Sequence, residues 1–507
     1  MFLFFLFLFP TLVSSFIETN NISFLTEKRL PSIYIVKYYF SFFITGLLPY
    51  IYLFKLTNKK SVLFIVSFIR YFIVFIIVFS FVLTKHTPRD NLLLVCFDTN
   101  LNEILEFIAT ISFKNYLIFI SYWIVFAALL YKTKIPPPSE TKSDTVFHFG
   151  CFLIFTIFAL AYRSENNIIH WFREAYKTYE NVKSVATDEK LLDISKDIKI
   201  SDIDPSLKRT VVIVIGESET GDVFKEHLPQ FSNLLGEKMN NFILVPKAET
   251  TAAYTLDVLK KLFFHRLSVT SEKKFNLLSL YKNAGFKSFW LSNQFKRGQM
   301  DDILYIIASF ASYQKFYNIL NLEKKGPSSM NSHYDDILID GLTNALDDPA
   351  EKKVVFLHLY GSHNYVKNRY PDTFHSPLVN AKEKKNYTEK EHYRNAAAYT
   401  NTVLAKIIQT LAEHRETGAV VYFSDHGSNP EAPLFRDYNE VKDVPLFFWL
   451  SEEYQKYFPT RLKNLNCLQY VYFSNLPYIF NKIIGVDIAD ISASPEIKTC
   501  FEKEGIK

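Results

Sequence analysis

Glu217, Asp425 and His426 are residue types that could do chemistry together, each placed just where an apolar run stops. Glu217 closes VVIVIGE (211–217), and Asp425-His426-Gly427 closes VVYFSDHG (420–427). A third run, VVFLHLYGSH (354–363), carries His358 and His363 at its end. Carboxylate oxygens and imidazole nitrogens are the donors that suit Zn²⁺, and a catalytic site uses about three of them with one position left for the reacting group. Taken singly, an acid at a strand end is an ordinary loop cap. Three strand ends bearing such residues argue for a site. GESETGD (216–222) has neither the Gly-Lys-Ser/Thr ending of a phosphate-binding Walker loop nor the final Gly of a nucleophile elbow, so Ser218 is not read as a hydrolase nucleophile.

The elements that must position these residues are legible from residue 209 onward. VVIVI (211–215), KSFWLS (287–292), VVFLHLY (354–360), VVYFS (420–424) and VPLFFWL (444–450) are short β-branched or aromatic runs. Between them lie the helical patterns FNLLSLYKNAG (275–285), YDDILIDGLTNAL (334–346) and YRNAAAYTNTVLAKIIQTLAEH (393–414). Strands alternating with helices predict an α/β domain with a mostly parallel central sheet, and such sheets bind ligands beyond the carboxyl ends of their strands.

The N-terminal third has a different texture. Apolar runs occupy 1–16, 32–54, 61–83, 115–131 and 146–162, and roughly 17–25 residues is the length a helix needs to cross a bilayer. We read a five-helix transmembrane domain over 1–163, an interfacial helix and linker over 164–204, and an outer catalytic domain over 205–507. A cleaved signal peptide is the alternative for the short first run. Lys55, Lys59 and Lys60, and then Lys132, Lys134 and Lys142, mark two loops as cytoplasmic. An odd number of spans then puts the catalytic domain outside, which in a bacterial inner membrane is the periplasm. Arg70 lies within the third span, where packing explains it as readily as function. A chain of 507 residues exceeds one core. The charge of +5 is spread out and gives no nucleic-acid stripe, and four cysteines imply no disulfide framework.

Together these features resemble the membrane-bound phosphoethanolamine transferases of Gram-negative bacteria, whose outer domain is sulfatase/alkaline-phosphatase-like. The resemblance rests on VVIVIGESETGD, Ser424-Asp425-His426-Gly427, GSHNYVKNRYP (361–371), LSNQ (291–294), YDDILIDGL, YTNTVLAKII and FDTNLNEILEF (97–107). It implies Glu217, Asp425 and His426 as metal ligands, His363 as a substrate-side histidine, and Asn100 and Glu103 near a lipid donor. It also implies a threonine nucleophile, itself a metal ligand, within NFILVPKAETTAAYTLDVLKKLF (241–263). Register favours Thr251, with Thr250 and Thr255 as contenders. A threonine opening a helix gains free N–H groups and the positive dipole end for a phosphate; a plain cap is the bland alternative.

Two departures stand out. No histidine occurs between Gly427 and Val444, leaving His358 or Arg436 to supply the missing substrate contact, and no cysteine flanks the threonines. The second departure matches core-sugar or other glycan-modifying branches better than the lipid A branch. Cys467 and Cys500 are left as a possible pair.

The resemblance implies a zinc-dependent transfer of phosphoethanolamine from phosphatidylethanolamine to lipopolysaccharide or another surface glycan. It proceeds through a threonine intermediate, in a membrane-embedded monomer. The alternatives are a phosphoglycerol transferase, a sulfatase-like hydrolase, and a catalytically degenerate membrane-tethered binding protein.

Overall fold

The computed structural model describes residues 59–84, 111–134, 141–161 and, with short breaks, 198–502. A few isolated positions before residue 198 are also described. The breaks are 267–273, 297–302, 320–332, 364, 381–382, 415–416, 431–437, 489–490 and 492. The chain divides into two compact units, Met1–Tyr179 and Glu180–Lys507.

In the first unit, α1 (Lys60–Thr84) and α2 (Phe113–Lys132) are continuous helices. Among the described residues these two are long and apolar enough to cross a membrane. They coincide with the third and fourth of the five expected spans. The fifth expected span falls on α3 (Lys142–Ala161), and the first two lie largely outside the described residues. Among the described residues the structure therefore supports two candidate spans. Tyr122 of α2 donates a hydrogen bond to the Tyr71 carbonyl of α1 at 3.0 Å, and the Tyr71 ring packs on Phe126 with centroids 4.5 Å apart. Phe64, Ile65, Phe68, Ile69 and Phe72 stay exposed along α1, an apolar face suited to lipid. Of the expected interfacial helix only Tyr176 and Lys177 are described.

The second unit is built on a seven-stranded mixed sheet. Its strands are β1 (Arg209–Gly216), β2 (Phe242–Leu244), β3 (Lys287–Lys296), β4 (Tyr313–Ile319), β5 (Lys352–His358), β6 (Gly418–Ser424) and β7 (Leu446–Leu450). Their spatial order is β2-β7-β6-β1-β5-β3-β4. From β6 to β4 every neighbouring pair is parallel, as expected from the alternating pattern. VPLFFWL differs: β7 runs antiparallel to both β6 and β2. The short strand β2 and the half-exposed edge strand β4 were not evident in sequence. β2 is only three residues long, and β4 packs mainly through one face, so neither makes a long apolar run.

All eight residues of β1 are buried, because successive side chains enter opposite cores. Val211, Ile213 and Ile215 face one layer, which includes Val258, Leu259 and Leu262 of α5 (Thr255–Phe263). Val212 and Val214 face the other, with Phe224 and Phe231 of α4 (Gly221–Leu235) and Leu404 and Ile408 of α6 (Glu389–Glu413). Each such aliphatic side chain contributes about 1.5–3 kcal/mol on burial. This double burial makes the sheet the fixed frame on which the strand ends stand. Helix α6 begins at a capping box, with Thr388 Oγ1 accepting from the Glu391 amide and the Glu391 carboxylate accepting from the Thr388 amide.

Cys467 and Cys500 form a disulfide with Cα atoms 5.7 Å apart, joining helices Arg461–Asn466 and Pro495–Glu502.

Candidate metal centre and nucleophile

Register brings the two distant acids together. Gly216 at the end of β1 pairs with Ser424 at the end of β6, so Glu217 and Asp425 leave the sheet side by side. The Asp425 amide donates to the Gly216 carbonyl at 3.1 Å and continues the ladder past both strands. Gly427, which follows His426, lies against its surroundings. A Cβ there would meet Thr220 Cγ2 at 2.8 Å and the Val441 carbonyl oxygen at 3.1 Å. This contact accounts for the glycine of Asp-His-Gly.

Ligand atoms of Glu217, Asp425 and His426 lie within 4.8 Å of one another, and all three residues are buried. His426 Nε2 is 3.5 Å from Glu217 Oε1 and 3.4 Å from Asp425 Oδ2. His426 Nδ1 lies 2.8 Å from the Gly427 carbonyl. A carbonyl only accepts, so Nδ1 carries the proton, and Nε2 is the ring nitrogen turned toward both carboxylates. Three electron-rich groups facing one another out of water repel unless a cation lies among them. The donor set therefore fits a metal ion, and Nδ1–H···O=C is the outer bond that orients a ligating imidazole.

A hydroxyl completes the cluster. Thr255 Oγ1 donates to Glu217 Oε2 at 3.1 Å and lies 3.4 Å from His426 Nε2. Thr255 is the first residue of α5, so its side chain sits among the unsatisfied N–H groups of a helix start. Thr251, favoured by register, is elsewhere. Its Oγ1 makes no hydrogen bond among the described residues, and its carbonyl accepts from Lys261 Nζ at 3.0 Å. The threonine that opens the helix is Thr255, one of the contenders, and Thr251 precedes it. Thr250 is wholly buried and spends its hydroxyl on the Asp425 carbonyl, 2.5 Å away.

The Gly-Ser-His turn docks on this centre. Gly361 has φ +51°, and a Cβ on it would meet the Glu217 carbonyl oxygen at 2.8 Å, so only glycine fits. The Ser362 amide donates to that carbonyl at 2.9 Å. Asp335 anchors the turn, accepting from the Tyr360 amide at 2.7 Å and the Gly361 amide at 2.8 Å. Burial raises the Asp335 pKa while these bonds oppose the shift. The His363 ring stacks on Tyr360, with centroids 5.4 Å apart and planes 13° apart, and the Arg369 guanidinium covers Tyr360 at 3.9 Å. His363 thus stands on the turn beside Glu217.

The geometry agrees with relationship. The sulfatase family model matches residues 209–471, just over half of the chain. The chain belongs to the sulfatase family. It also aligns with membrane phosphoethanolamine transferases of Gram-negative bacteria. Phosphoethanolamine transferase EptC of Escherichia coli K12 is 27% identical over 423 residues, covering 73% of this chain and 70% of the relative. Phosphoethanolamine transferase CptA of Salmonella typhimurium is 26% identical over 425 residues, with the same coverage. In fold, the chain is similar to the integral membrane lipooligosaccharide phosphoethanolamine transferase A of Neisseria meningitidis, with a TM-score of 0.65, 17% identity and 96% of each chain covered.

Other sequence candidates fare differently in this sulfatase-family chain. His358 was a candidate substrate contact, but it is wholly buried at the end of β5, its Nδ1 3.4 Å from Ser292 Oγ and its ring edge-on to Trp290. Such a side chain cannot meet a substrate in this conformation. Asn100, Glu103 and Arg436 lie outside the described residues. Gln294, within LSNQ, was not singled out as a site residue. Its Nε2 lies 3.4 Å from Glu217 Oε2 and 2.9 Å from the Leu359 carbonyl, and its sequence signal was its place in LSNQ near the end of β3. Glu219 was also missed. It is buried against the Tyr422 hydroxyl, and burial raises its pKa to about 8.

Burial also gives His358 a pH signature. Desolvation lowers its pKa from 6.5 to about 3. The unfolded chain binds a proton below its ordinary value, whereas the folded chain stays neutral until about 3. The stability linked to this neutral imidazole is thus complete above pH 6.5 and is lost progressively as pH falls toward 3. The thermal midpoint of the detergent-solubilised chain is expected to drop between pH 7 and about 4.5. His358→Gln should drop less over the same range, and equal drops would show that His358 has no part in it.

Proposed function

We propose that the chain transfers phosphoethanolamine from phosphatidylethanolamine to a hydroxyl of lipopolysaccharide or another surface glycan, with Thr255 as nucleophile and Zn²⁺ as cofactor. The observation that carries this reading is the Thr255 hydroxyl at a helix start, hydrogen-bonded to Glu217 beside His426. The alignments with phosphoethanolamine transferases support the choice of transferred group. Two carboxylates and one imidazole are a donor set that zinc accepts. When bound, the ion would lower the pKa of the hydroxyl and offset charge on the phosphoryl oxygens.

The chain's own residues do the rest. Thr255 Oγ forms a bond to phosphorus as the bond from phosphorus to the diacylglycerol oxygen breaks. His363 takes the threonine proton and delivers it to the departing diacylglycerol oxygen. First-turn N–H groups of α5 face the phosphate oxygens. In the second displacement the acceptor oxygen forms a bond to phosphorus as the bond from phosphorus to Thr255 Oγ breaks, and His363 carries the acceptor's proton to Thr255 Oγ.

To test this, the detergent-solubilised protein is incubated with phosphatidylethanolamine and no acceptor. A phosphoethanolamine adduct on the peptide containing Thr255 is expected, with diacylglycerol released in equal amount. A glycerophosphate adduct formed from phosphatidylglycerol instead would replace the donor, and no adduct from either lipid would end the reading.

The reading places Glu180–Lys507 in the periplasm. Loop charges support that side, and the Cys467–Cys500 disulfide suits an oxidising compartment. A reporter that works only outside the cytoplasm, fused after Lys507, should be active. A cytoplasm-dependent reporter at the same position should be silent, and the reverse pattern would overturn the orientation.

A further inference from the structure

Ser218 was set aside as a nucleophile, and the proposed reaction makes no use of it. Yet it is one of two non-glycine residues with positive φ among the described residues, at +61°. An L-residue in the left-handed region is strained, and such strain persists where the surroundings enforce it. Glycine would relieve the backbone at no steric cost, so a serine here needs its side chain.

The side chain and backbone of Ser218 touch both carboxylates of the centre. Its hydroxyl donates to Glu217 Oε1 at 2.7 Å, and its amide donates to Asp425 Oδ1 at 3.1 Å. The left-handed turn makes the pair possible, since it points the amide across to β6 while the hydroxyl reaches back to the preceding residue. The turn is itself clamped from α6. The Tyr393 hydroxyl donates to the Ser218 carbonyl at 2.8 Å and accepts from the Thr220 amide at 3.0 Å. Both Ser218 and Tyr393 are buried, so water does not compete for these bonds.

We infer that Ser218 is a positioning residue for the metal centre, held in a strained turn by Tyr393 so that one residue orients Glu217 and Asp425 together. The inference rests on the reading of Glu217, Asp425 and His426 as metal ligands. Fixing both carboxylates before an ion arrives spares their ordering on binding, and partners of metal ligands typically alter affinity by about 10–100-fold when removed.

The role has a signature that a plain packing role lacks. Ser218→Ala keeps the strain and loses the hydroxyl, whereas Ser218→Gly loses both. The metal-free Gly variant should therefore melt about 2–4 °C above the Ala variant, although both bind metal weakly. Zinc affinity of the full detergent-solubilised chain is measured by competition with a chromophoric chelator, alongside the thermal midpoint without metal. Both variants should lose about 10–100-fold in zinc affinity, and Tyr393→Phe should shift affinity in the same direction through the loosened turn. Wild-type affinity in Ser218→Ala would overturn the role of the hydroxyl. Affinity restored in Ser218→Gly would assign the effect to backbone strain and overturn it equally. A wild-type chain that binds no zinc would overturn the metal reading itself, and this inference with it.

Discussion

Replacing Thr255 by alanine is expected to lower turnover by about three orders of magnitude or more, since it removes the atom that forms the covalent intermediate. The fold should survive. Thr255 is a helix-start residue whose hydroxyl bonds Glu217 and His426, and its loss leaves α5 anchored by Val258, Leu259, Leu262 and Phe263. The threonine adduct should disappear from mass spectra while zinc remains bound. Thr251→Ala is the matched control. Its hydroxyl makes no hydrogen bond among the described residues, so turnover should stay within a few-fold of wild type. Loss of the adduct in Thr251→Ala, with Thr255→Ala still labelled, would return the nucleophile to Thr251.

The second large effect is expected at Asp425. Its Oδ1 accepts from the His426 amide at 2.7 Å and the Ser218 amide at 3.1 Å, and Oδ2 is the oxygen nearer His426 Nε2. Asparagine keeps a carbonyl oxygen for the two amides and puts an uncharged NH₂ where the ligand oxygen was. Asp425→Asn should therefore remain folded, lose zinc affinity by more than about 100-fold, and lose turnover with it. Metal analysis after dialysis, paired with a circular dichroism spectrum, reads both outcomes. Normal turnover and metal content in this variant would leave Asp425 as a loop cap.

What the sequence by itself determined is the frame and the rim. Runs such as VVIVI and VVYFS are buried on both faces, so their length dictates where the strands end, and the polar residue that follows is placed at the rim by the same fact. That is why Glu217, Asp425 and His426 are legible from the order of residues alone: strand ends are a local property. The helical stretch around 393–414 was legible for a similar reason, since α6 buries a long apolar stripe.

The tertiary structure alone decided which threonine meets the rim. Thr250, Thr251 and Thr255 lie close together in sequence, and the choice among them is made by contacts with distant segments. The Thr250 amide bonds the Lys442 carbonyl at 2.9 Å and its hydroxyl bonds Asp425, while Tyr438 donates to the Thr250 carbonyl at 2.8 Å. These bonds pin the loop so that the helix begins at Thr255. The same limit applies elsewhere. His358 looked like a rim residue, but its side chain is sealed within the sheet beside Trp290. Cys467 and Cys500, 33 positions apart, became a pair only once two helices were brought together. The strain at Ser218 arises because one backbone must satisfy two strands and a helix at once, and no local pattern encodes a constraint of that kind.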